Sequence, residues 1–342
     1  MSAVVEQPPL PSTEPSERRA GTGALLRSEL HRFRSRRFIQ VLLGLAVLGW
    51  MAAVAIGLTA FGTPTAGDLA EARQRIEQEV AVQADLRQQC LADPGIPDRE
   101  CPPEISASDF RVEDVVSKAP FDLGSAGEAG ALGFGAAAAV LAFLIGATWI
   151  GAEWSTRSVV ALLFWVPQRM KVMGVKLAVL VLASALVGVA AQALWLAMAG
   201  ILNAVAGNGE ALPGGFWGDL LSTQGRGVLL AVITALLGFG LANLTRNTGA
   251  ALGIGFVYFA ILETAIRILR PSWEPWLLSN NAVGLLIPGG VTVFVPGEVG
   301  AGGFQVQQEY LITNLQAGVV LAVVMTAVVA GGVVLFARRD IH

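Results

Sequence analysis

The chain of 342 residues is apolar throughout, with 54% hydrophobic and 14% charged residues, whereas a soluble domain carries about 25% charged residues. This composition excludes an ordinary soluble protein, and also a disordered chain, which would be rich in charge. The 23 Lys and Arg against 26 Asp and Glu give a net charge of −3, which excludes a strongly basic nucleic-acid binder. With two Cys and two His, a cysteine-rich metal framework is excluded as well.

Residues 1–21 are rich in Pro, Ser and Glu, which predicts a disordered tail. Residues 22–37 follow a different pattern, in which apolar residues fall on one helical face and basic residues on the opposite face. The apolar face holds Leu25, Leu26, Leu30 and Phe33, and the basic face holds Arg27, His31 and Arg34. This pattern predicts an amphipathic helix in the membrane interface. It leaves open whether the helix is an elbow that touches a cytoplasmic partner or a basic anchor before the first span.

Six segments have the roughly 20 apolar residues that a helix needs to cross a bilayer core of about 30 Å. They are 38–61, 132–152, 177–202, 227–244, 248–269 and 311–337. The sequence therefore predicts an all-α integral membrane protein with six transmembrane helices. Basic residues concentrate in 1–37, in 153–176, at Arg246 and at Arg338 and Arg339, and with six spans all of these lie on one side. Because short basic segments stay inside the cell, both termini are expected in the cytoplasm.

Residues 62–128, between the first two spans, are predicted to form an extracellular insertion with 14 acidic and 6 basic residues. Within it, 67–89 and 106–118 have helix-forming composition. Cys90 and Cys101 lie between these two segments, on the oxidising side of the membrane, and predict a disulfide; two free thiols are the alternative. Closing this loop would stabilise the insertion by roughly 2–3 kcal/mol.

The segment between the fifth and sixth spans, 270–310, is too apolar for a solvated loop and too interrupted by Pro and Gly for a span. We expect a re-entrant or interfacial hairpin, because irregular backbone at membrane depth needs shelter from protein or a water-filled cavity. Trp273 and Trp276 suit the aromatic belt at the headgroups.

The sequence contains no G-x-x-x-x-G-K-[ST] phosphate loop, no H-E-x-x-H and no G-x-S-x-G. These motifs supply nucleotide-binding, metalloprotease and hydrolase chemistry. We therefore expect a chain that is not an enzyme and holds no cofactor of its own.

The segment 153–171, after the second span, combines charged flanks with an apolar stretch at 159–166. Such a stretch can lie in a groove of a partner protein, where arginines pair with carboxylates. The alternative is an interfacial connector whose arginines only enforce topology. The residues singled out as contacts are Glu153, Thr156, Arg157, Pro167 and Arg169.

The order of these residues resembles the permease subunits of the type-2 exporter superfamily of ATP-binding-cassette (ABC) transporters. Those chains have a Glu after span two, a Gly or Ser/Thr shortly beyond, a short apolar helix, and then Pro-x-Arg and a Lys before span three. The basic elbow, Thr245-Arg246, and the ending 336–341 are similar too. The acidic insertion with two cysteines is not part of the common pattern.

The resemblance implies two permease subunits, as a homodimer or a related heterodimer, with two ABC ATPase subunits docked beneath them. Mg-ATP would be bound by the ATPase and not by this chain. Residues 153–171 would hold the coupling helix, with Glu153, Thr156, Arg157, Pro167 and Arg169 as contacts. The location implied is the plasma membrane of a prokaryote, with membrane lipid as a further partner and no nucleic acid.

Polar residues inside spans are costly and mark function by default. The candidates for a substrate pathway are Gln40, Gln192, Asn243, Glu263 and Arg267. Glu263 and Arg267 are four residues apart and can pair on one helical face, either as a structural pair or as part of a cavity. Gly249 and Gly253 form a small-xxx-small pattern that permits close helix packing.

These features together predict an exporter subunit that moves an amphipathic or lipid-like substrate out of the cell by alternating access. Two alternatives remain from the sequence. One is a membrane sensor or regulatory protein with 62–128 as its ligand-binding part. The other is a secondary transporter, which would usually show internal repeats and interrupted helices near the midplane.

Overall fold

The computed structural model describes residues 21–93, 97, 101–116, 118–165, 168–299 and 305–338. The predicted tail, apart from Gly21, lies outside the described residues, as do Pro167 and the end of the chain from Arg339 onward. The structure is 81% helical.

The helices before the centre of the chain are α1 (Thr22–Arg34), α2 (Arg37–Ala60), α3 (Ala66–Ala92), α4 (Val112–Val115), α5 (Leu123–Ser155) and α6 (Ser158–Trp165). Those that follow are α7 (Arg169–Ala206), α8 (Phe216–Thr245), α9 (Thr248–Leu269), α10 (Leu278–Leu286) and α11 (Asn314–Arg338). Two 3₁₀ turns, Ala107–Asp109 and Pro271–Trp276, and a two-stranded antiparallel sheet of β1 (Val291–Val299) and β2 (Gln305–Ile312) complete the described elements.

Within the described residues, six helices are long and apolar enough to cross a membrane: α2, α5, α7, α8, α9 and α11. This confirms the prediction of a multi-pass helical membrane protein. Helices α5, α7 and α8 are longer than the sequence pattern predicts, because their backbone hydrogen bonding continues beyond the ends of the apolar segments. Helix α7 has 38 residues and is about 57 Å long, so it extends well beyond a hydrocarbon core of about 30 Å.

The centre of the bundle is built by α5, α7 and α8. In the most apolar stretch of each helix, 50% of the residues of α7 and 56% of those of α8 are buried within the chain, against 6% in α2 and 11% in α9. Helices α2 and α9 are therefore peripheral and expose most of their apolar side chains.

Helices α5 and α8 approach so closely that glycines form their interface. A Cβ added at Gly146 of α5 would overlap the carbonyl oxygen of Ala235, and one at Gly238 of α8 would overlap that of Phe143. A Cβ on Gly253, by contrast, would meet no atom within 4 Å. The α5–α8 interface therefore uses these two glycines for close packing, whereas Gly253 of the predicted small-xxx-small pattern packs against nothing in the part of the chain that the structure describes.

We expect Gly146→Ala to destabilise the protein, although alanine is the better helix former by about 1 kcal/mol. The added methyl group would force α5 and α8 apart, and overpacking of this kind costs about 1–3 kcal/mol. Thermal unfolding in detergent checks this. Gly133→Ala is the matched control on the same helix, since its Cβ would meet nothing within 4 Å; equal melting temperatures for the two variants would contradict the packing interpretation.

The two ends of the bundle differ in charge. We call the end that carries α1, α6, Arg246 and Arg338 the basic end, and the end that carries α3 the acidic end. Contacts between distant segments assemble the basic end, such as the ion pair of Arg36 with Glu153 and the bond from Arg169 to the carbonyl of Ala337.

At the acidic end, the predicted long helix of the insertion is confirmed as α3. It begins with a capping box in which the backbone N–H of Thr65 donates to Oδ2 of Asp68 and the backbone N–H of Asp68 donates to Oγ1 of Thr65. The hydroxyl of Thr65 also donates to Oδ2 of Asp68, and the hydrogen bonds from Thr65 hold the pKa of Asp68 below its usual value. The predicted disulfide Cys90–Cys101 is also confirmed, with the Cα atoms 5.7 Å apart. The second predicted helix, 106–118, is reduced to a 3₁₀ turn and the four-residue α4.

The segment expected to form a re-entrant or interfacial hairpin contains a β-hairpin and a short helix, and its depth in the membrane stays a prediction. It forms a 3₁₀ turn, the short helix α10 and the β1–β2 ribbon. Leu285 and Leu286 of α10 pack into the bundle with Leu230 and Ile233 of α8. The ribbon was not predicted, although the alternation of residues 291–295 and the glycines that follow are typical of a hairpin.

Candidate functional site

Three buried charged side chains meet at the basic end. Lys176 of α7 donates a hydrogen bond to Oε2 of Glu29 in α1 at 2.6 Å, and its Nζ lies 2.7 Å from Oε2 of Glu153 in α5. All three side chains are at most 1% exposed. We call Glu29, Glu153 and Lys176 the ion cluster; it ties the elbow helix to two spans.

Both carboxylates of the ion cluster also have an arginine neighbour, and Arg32 lies 3.5 Å from Oε1 of Glu29. The guanidinium of Arg36, at the start of α2, lies 3.4 Å from Oε1 of Glu153, and the ammonium of Lys176 lies 5.2 Å from the ring centroid of Trp149. Neither oxygen of Glu153 has a hydrogen bond of favourable angle among the described residues. Glu153 is therefore held by charge, and its position depends on Lys176 and Arg36.

Helix α6 follows α5 directly after Glu153 and has both buried and fully exposed apolar residues. Val159 and Leu162 are buried, and Leu162 packs against Leu25 of α1 and Val172 of α7. Phe164 and Trp165 are 84% and 86% exposed. A short helix is thus fixed to the bundle by its buried residues and exposes two aromatic side chains at its C-terminal end.

The turn from α5 into α6 is made by Thr156 and Arg157, whose side chains are exposed. Arg157 has a φ of 54°, a left-handed conformation that non-glycine residues seldom adopt and that concentrates at functional sites. Arg169 donates to the carbonyl oxygens of Ala337 at 3.2 Å and Phe336 at 3.5 Å. Of the predicted contacts, Thr156 and Arg157 lie at the surface, while Glu153 is enclosed in the ion cluster and Arg169 holds the end of α11.

A second cluster lies nearby around Trp154. Its Nε1 donates to Oδ1 of Asn243 at 3.0 Å, the guanidinium of Arg246 stacks 4.6 Å from its ring centroid, and Phe336 packs edge-on against it. The turn after α8 and the end of α11 are therefore joined to α5 at the same end of the bundle.

The five predicted pathway residues are not brought together. Gln40 is exposed and donates to the carbonyl of Arg34, at the junction of α1 and α2. Asn243 belongs to the Trp154 cluster. Gln192 is buried between α5 and α8, donating to the carbonyl of Ala131 at 3.1 Å. Glu263 and Arg267 lie toward the acidic end.

Glu263 and Arg267 pair as the sequence predicts, with 3.9 Å between Nη2 and Oε2. Arg267 also donates to Oγ of Ser279 and Oδ1 of Asn280, both at 2.8 Å, and Glu263 accepts from the backbone N–H of Ser279 at 3.1 Å. Both side chains thus hold the first turn of α10 against α9. The geometry therefore favours the structural pair over a cavity. Glu263 follows immediately after a π-helical turn at Tyr258–Leu262.

The sequence pattern did not single out Glu29 of the ion cluster or Arg226 inside the bundle, although each leaves a signal in the sequence. Glu29 is buried together with Leu25 and Phe33, so it is an acid on the apolar face of an amphipathic helix. Arg226 lies inside α8, which begins eleven residues earlier than the predicted span. It donates to Oδ1 of Asn314 at 3.3 Å and to Oγ1 of Thr223 at 3.1 Å.

In the part of the chain that the structure describes, no group of three or more His, Cys, Asp or Glu is placed to hold a metal ion. Comparison of the chain with protein-family models, with curated proteins and with solved structures gave no match in any of the three.

Proposed function

We propose that the chain is the membrane subunit of an ATP-driven exporter of the ABC type-2 kind, in the plasma membrane of a prokaryote. The observation that carries the proposal is α6, with Val159 and Leu162 seated in the bundle and Phe164 and Trp165 exposed. Aromatic side chains on a fixed base are the anchors that dominate protein–protein interfaces. By the distribution of Lys and Arg, the basic end faces the cytoplasm, where an ATPase would dock.

The residues of segment 153–171 take two different roles in this proposal. Thr156, Arg157, Phe164 and Trp165 are exposed and would contact the ATPase directly, with the guanidinium of Arg157 suited to a partner carboxylate. Glu153 and Arg169 would act from behind that surface, because both are bonded within the chain. Pro167 remains a predicted contact.

In this proposal the ion cluster transmits the movement of α6 to the membrane-spanning helices. When ATP draws the two ATPase subunits together, α6 would be displaced, and Leu162 would carry α1 and α7 with it. Since Glu29, Lys176 and Glu153 bond α1, α7 and α5 to one another, these helices would move as one unit and open the acidic end. Sliding of packed helices past one another is a common form of conformational change in proteins.

The proposal also includes the other subunits of the complex, the lipid and the substrate. A second permease subunit, identical or related, would pair with this chain, and each permease would bind one ATPase carrying Mg-ATP. The peripheral helices α2 and α9 offer apolar surface to that subunit and to lipid. The apolar walls of the spans favour an amphipathic or lipid-like substrate moved outward.

Purification of the tagged chain from its native membranes in mild detergent tests the proposal. We expect an accompanying ATPase whose ATP hydrolysis is inhibited by vanadate and changes when the permease is removed. A chain that purifies without ATP hydrolysis, and whose thermal stability ATP leaves unchanged, would contradict an exporter.

A sensor is the second candidate, favoured by the acidic insertion with its disulfide between Cys90 and Cys101. A disulfide-closed helical unit outside the membrane is suited to binding an extracellular ligand. The same purification separates the two candidates, because a sensor needs no ATPase for its stability or its activity.

A further inference from the structure

Helix α8 carries a single basic residue, Arg226, on the acidic side of its apolar stretch. Arg226 lies ten residues after Phe216, the start of α8, and directly before the uncharged segment 227–244 that predicts the fourth span. It therefore lies where the apolar part of the bundle begins. An ionisable residue at such a depth is costly unless it has a partner, and it marks a functional site by default.

Two neutral oxygens hold the guanidinium of Arg226 in place. Nη1 donates to Oδ1 of Asn314 at 3.3 Å, and Nη2 donates to Oγ1 of Thr223 at 3.1 Å. Asn314 is itself fixed, because its amide donates to the carbonyls of Gly284 and Ile287, and Thr223 is fully buried. These contacts orient the guanidinium but do not neutralise its charge.

Most of the donors of Arg226 remain available. A guanidinium has five N–H groups, of which these contacts use two, and Nε is buried without a hydrogen-bond partner. None of the ion pairs that the described residues form includes Arg226. The side chain as a whole is partly exposed, so it is not sealed inside the bundle. Arg226 thus has both spare donors and an unbalanced positive charge.

The face of α8 next to Arg226 is open. Ser222 and Leu229, four residues before and three residues after Arg226, lie on the same helical face. Ser222 is exposed, and Leu229 is 48% exposed. A group outside the chain can therefore approach the guanidinium along this face. An apolar chain attached to that group would lie against Leu229, toward the membrane interior.

The group that fits these features is an oxyanion. A planar guanidinium pairs with phosphate or carboxylate through two parallel hydrogen bonds, and the anion would balance the charge of Arg226. We propose that Arg226 binds the phosphate or carboxylate of an amphiphile whose apolar chain lies over Leu229. The inference goes beyond the proposed function, since it requires the chain to lie in a membrane but does not require an ATPase.

Thermal unfolding of the full chain in non-ionic detergent tests the proposal, because a ligand that binds the folded state raises the melting temperature. Dioleoyl phosphatidic acid, dioleoylglycerol and inorganic phosphate are titrated separately. The two lipids share their acyl chains and differ in the phosphate. We expect phosphatidic acid to raise the melting temperature, and dioleoylglycerol or inorganic phosphate alone to have a much smaller effect.

Two variants separate the charge of Arg226 from its orientation. Arg226→Gln keeps an amide that can donate to Asn314 or Thr223 but removes the charge, and it should weaken the binding of phosphatidic acid roughly tenfold or more. Thr223→Val keeps the charge and removes one of the two orienting oxygens, so a loss of roughly threefold is expected. Arg270→Gln is the control, since Arg270 is an exposed arginine at the same end of the bundle, and it should bind phosphatidic acid as the wild-type protein does.

Equal effects of phosphatidic acid and dioleoylglycerol on the wild-type protein would overturn the inference. So would equal losses in Arg226→Gln and Arg270→Gln, because the lipid would then respond only to surface charge. A comparable effect of inorganic phosphate alone would overturn the role of the apolar chain and assign Arg226 to a free anion. If Arg226→Gln does not fold, unchanged binding by Thr223→Val would overturn the inference. None of these measurements involves ATP hydrolysis, so a failure here is distinguishable from a failure of the exporter proposal.

Discussion

Replacing Phe164 and Trp165 together with serine is expected to abolish the stimulation of the partner ATPase and the transport that depends on it. Both side chains are more than four-fifths exposed on a helix that the bundle holds rigidly. Anchors of this kind contribute about 2 kcal/mol or more each when they fill a pocket on a partner, which is roughly a 30-fold loss of affinity for each residue. The chain itself should keep its stability, because neither side chain packs in the core.

Trp273 and Trp276 provide the matched control. They are 60% and 59% exposed, are large aromatic residues, and lie at the acidic end, where a cytoplasmic ATPase has no access. The double variant Trp273→Ser, Trp276→Ser should therefore retain ATPase binding and ATPase stimulation. If the α6 variant behaves in the same way, α6 is an interfacial connector and the coupling role is excluded.

Lys176→Met is expected to destabilise the protein by about 3–5 kcal/mol, the usual cost of removing one partner from a buried ion pair. The variant leaves the carboxylates of Glu29 and Glu153 buried without the ammonium that lies 2.6 Å and 2.7 Å from them. The quantity to measure is the free energy of unfolding in detergent, together with the accessibility of α1 to protease.

An exposed ion pair of equal length gives the control for Lys176→Met. Arg75 lies 2.6 Å from Glu71 on α3, but both side chains are more than half exposed, and such pairs contribute at most about 1 kcal/mol. Arg75→Met should thus have a small effect.

The triple variant Glu29→Gln, Glu153→Gln, Lys176→Met removes all three charges and should recover most of the stability lost in Lys176→Met. Equal losses in the single and triple variants would mean that packing, not charge, explains the effect of Lys176→Met.

The spans and the disulfide could be predicted from the sequence because each depends on local composition. A run of apolar residues as long as a bilayer is thick has few other stable arrangements, so all six spans are present in the structure. Cys90 lies in the last turn of α3 and Cys101 is eleven residues further along the chain, so the two thiols meet without any long-range contact.

The candidate site could be predicted from the sequence only in part. The sequence indicated that α6 is unusual, since an apolar stretch with charged flanks lies between two spans. It did not indicate which side chains face outward. Glu153 was predicted as a surface contact, yet its burial depends on Lys176 and on Glu29, which is 124 residues earlier in the chain. Local sequence patterns do not show which side chains from distant parts of the chain come into contact.

The choice among glycines shows the same limit. The sequence singled out Gly249 and Gly253 by their spacing, whereas the structure packs Gly146 and Gly238 at the α5–α8 interface. Every apolar span with small residues can pack closely, and only the three-dimensional arrangement decides which pair does.

A membrane protein with six long apolar helices, a basic and an acidic end, and a disulfide-closed insertion can be predicted from the sequence alone, because hydration and charge act on each segment separately. Only the folded arrangement of the helices shows that Glu29, Glu153 and Lys176 share one buried site and that α6 exposes Phe164 and Trp165. These features depend on which helix faces meet, and a buried charge becomes tolerable only where a distant partner arrives to balance it.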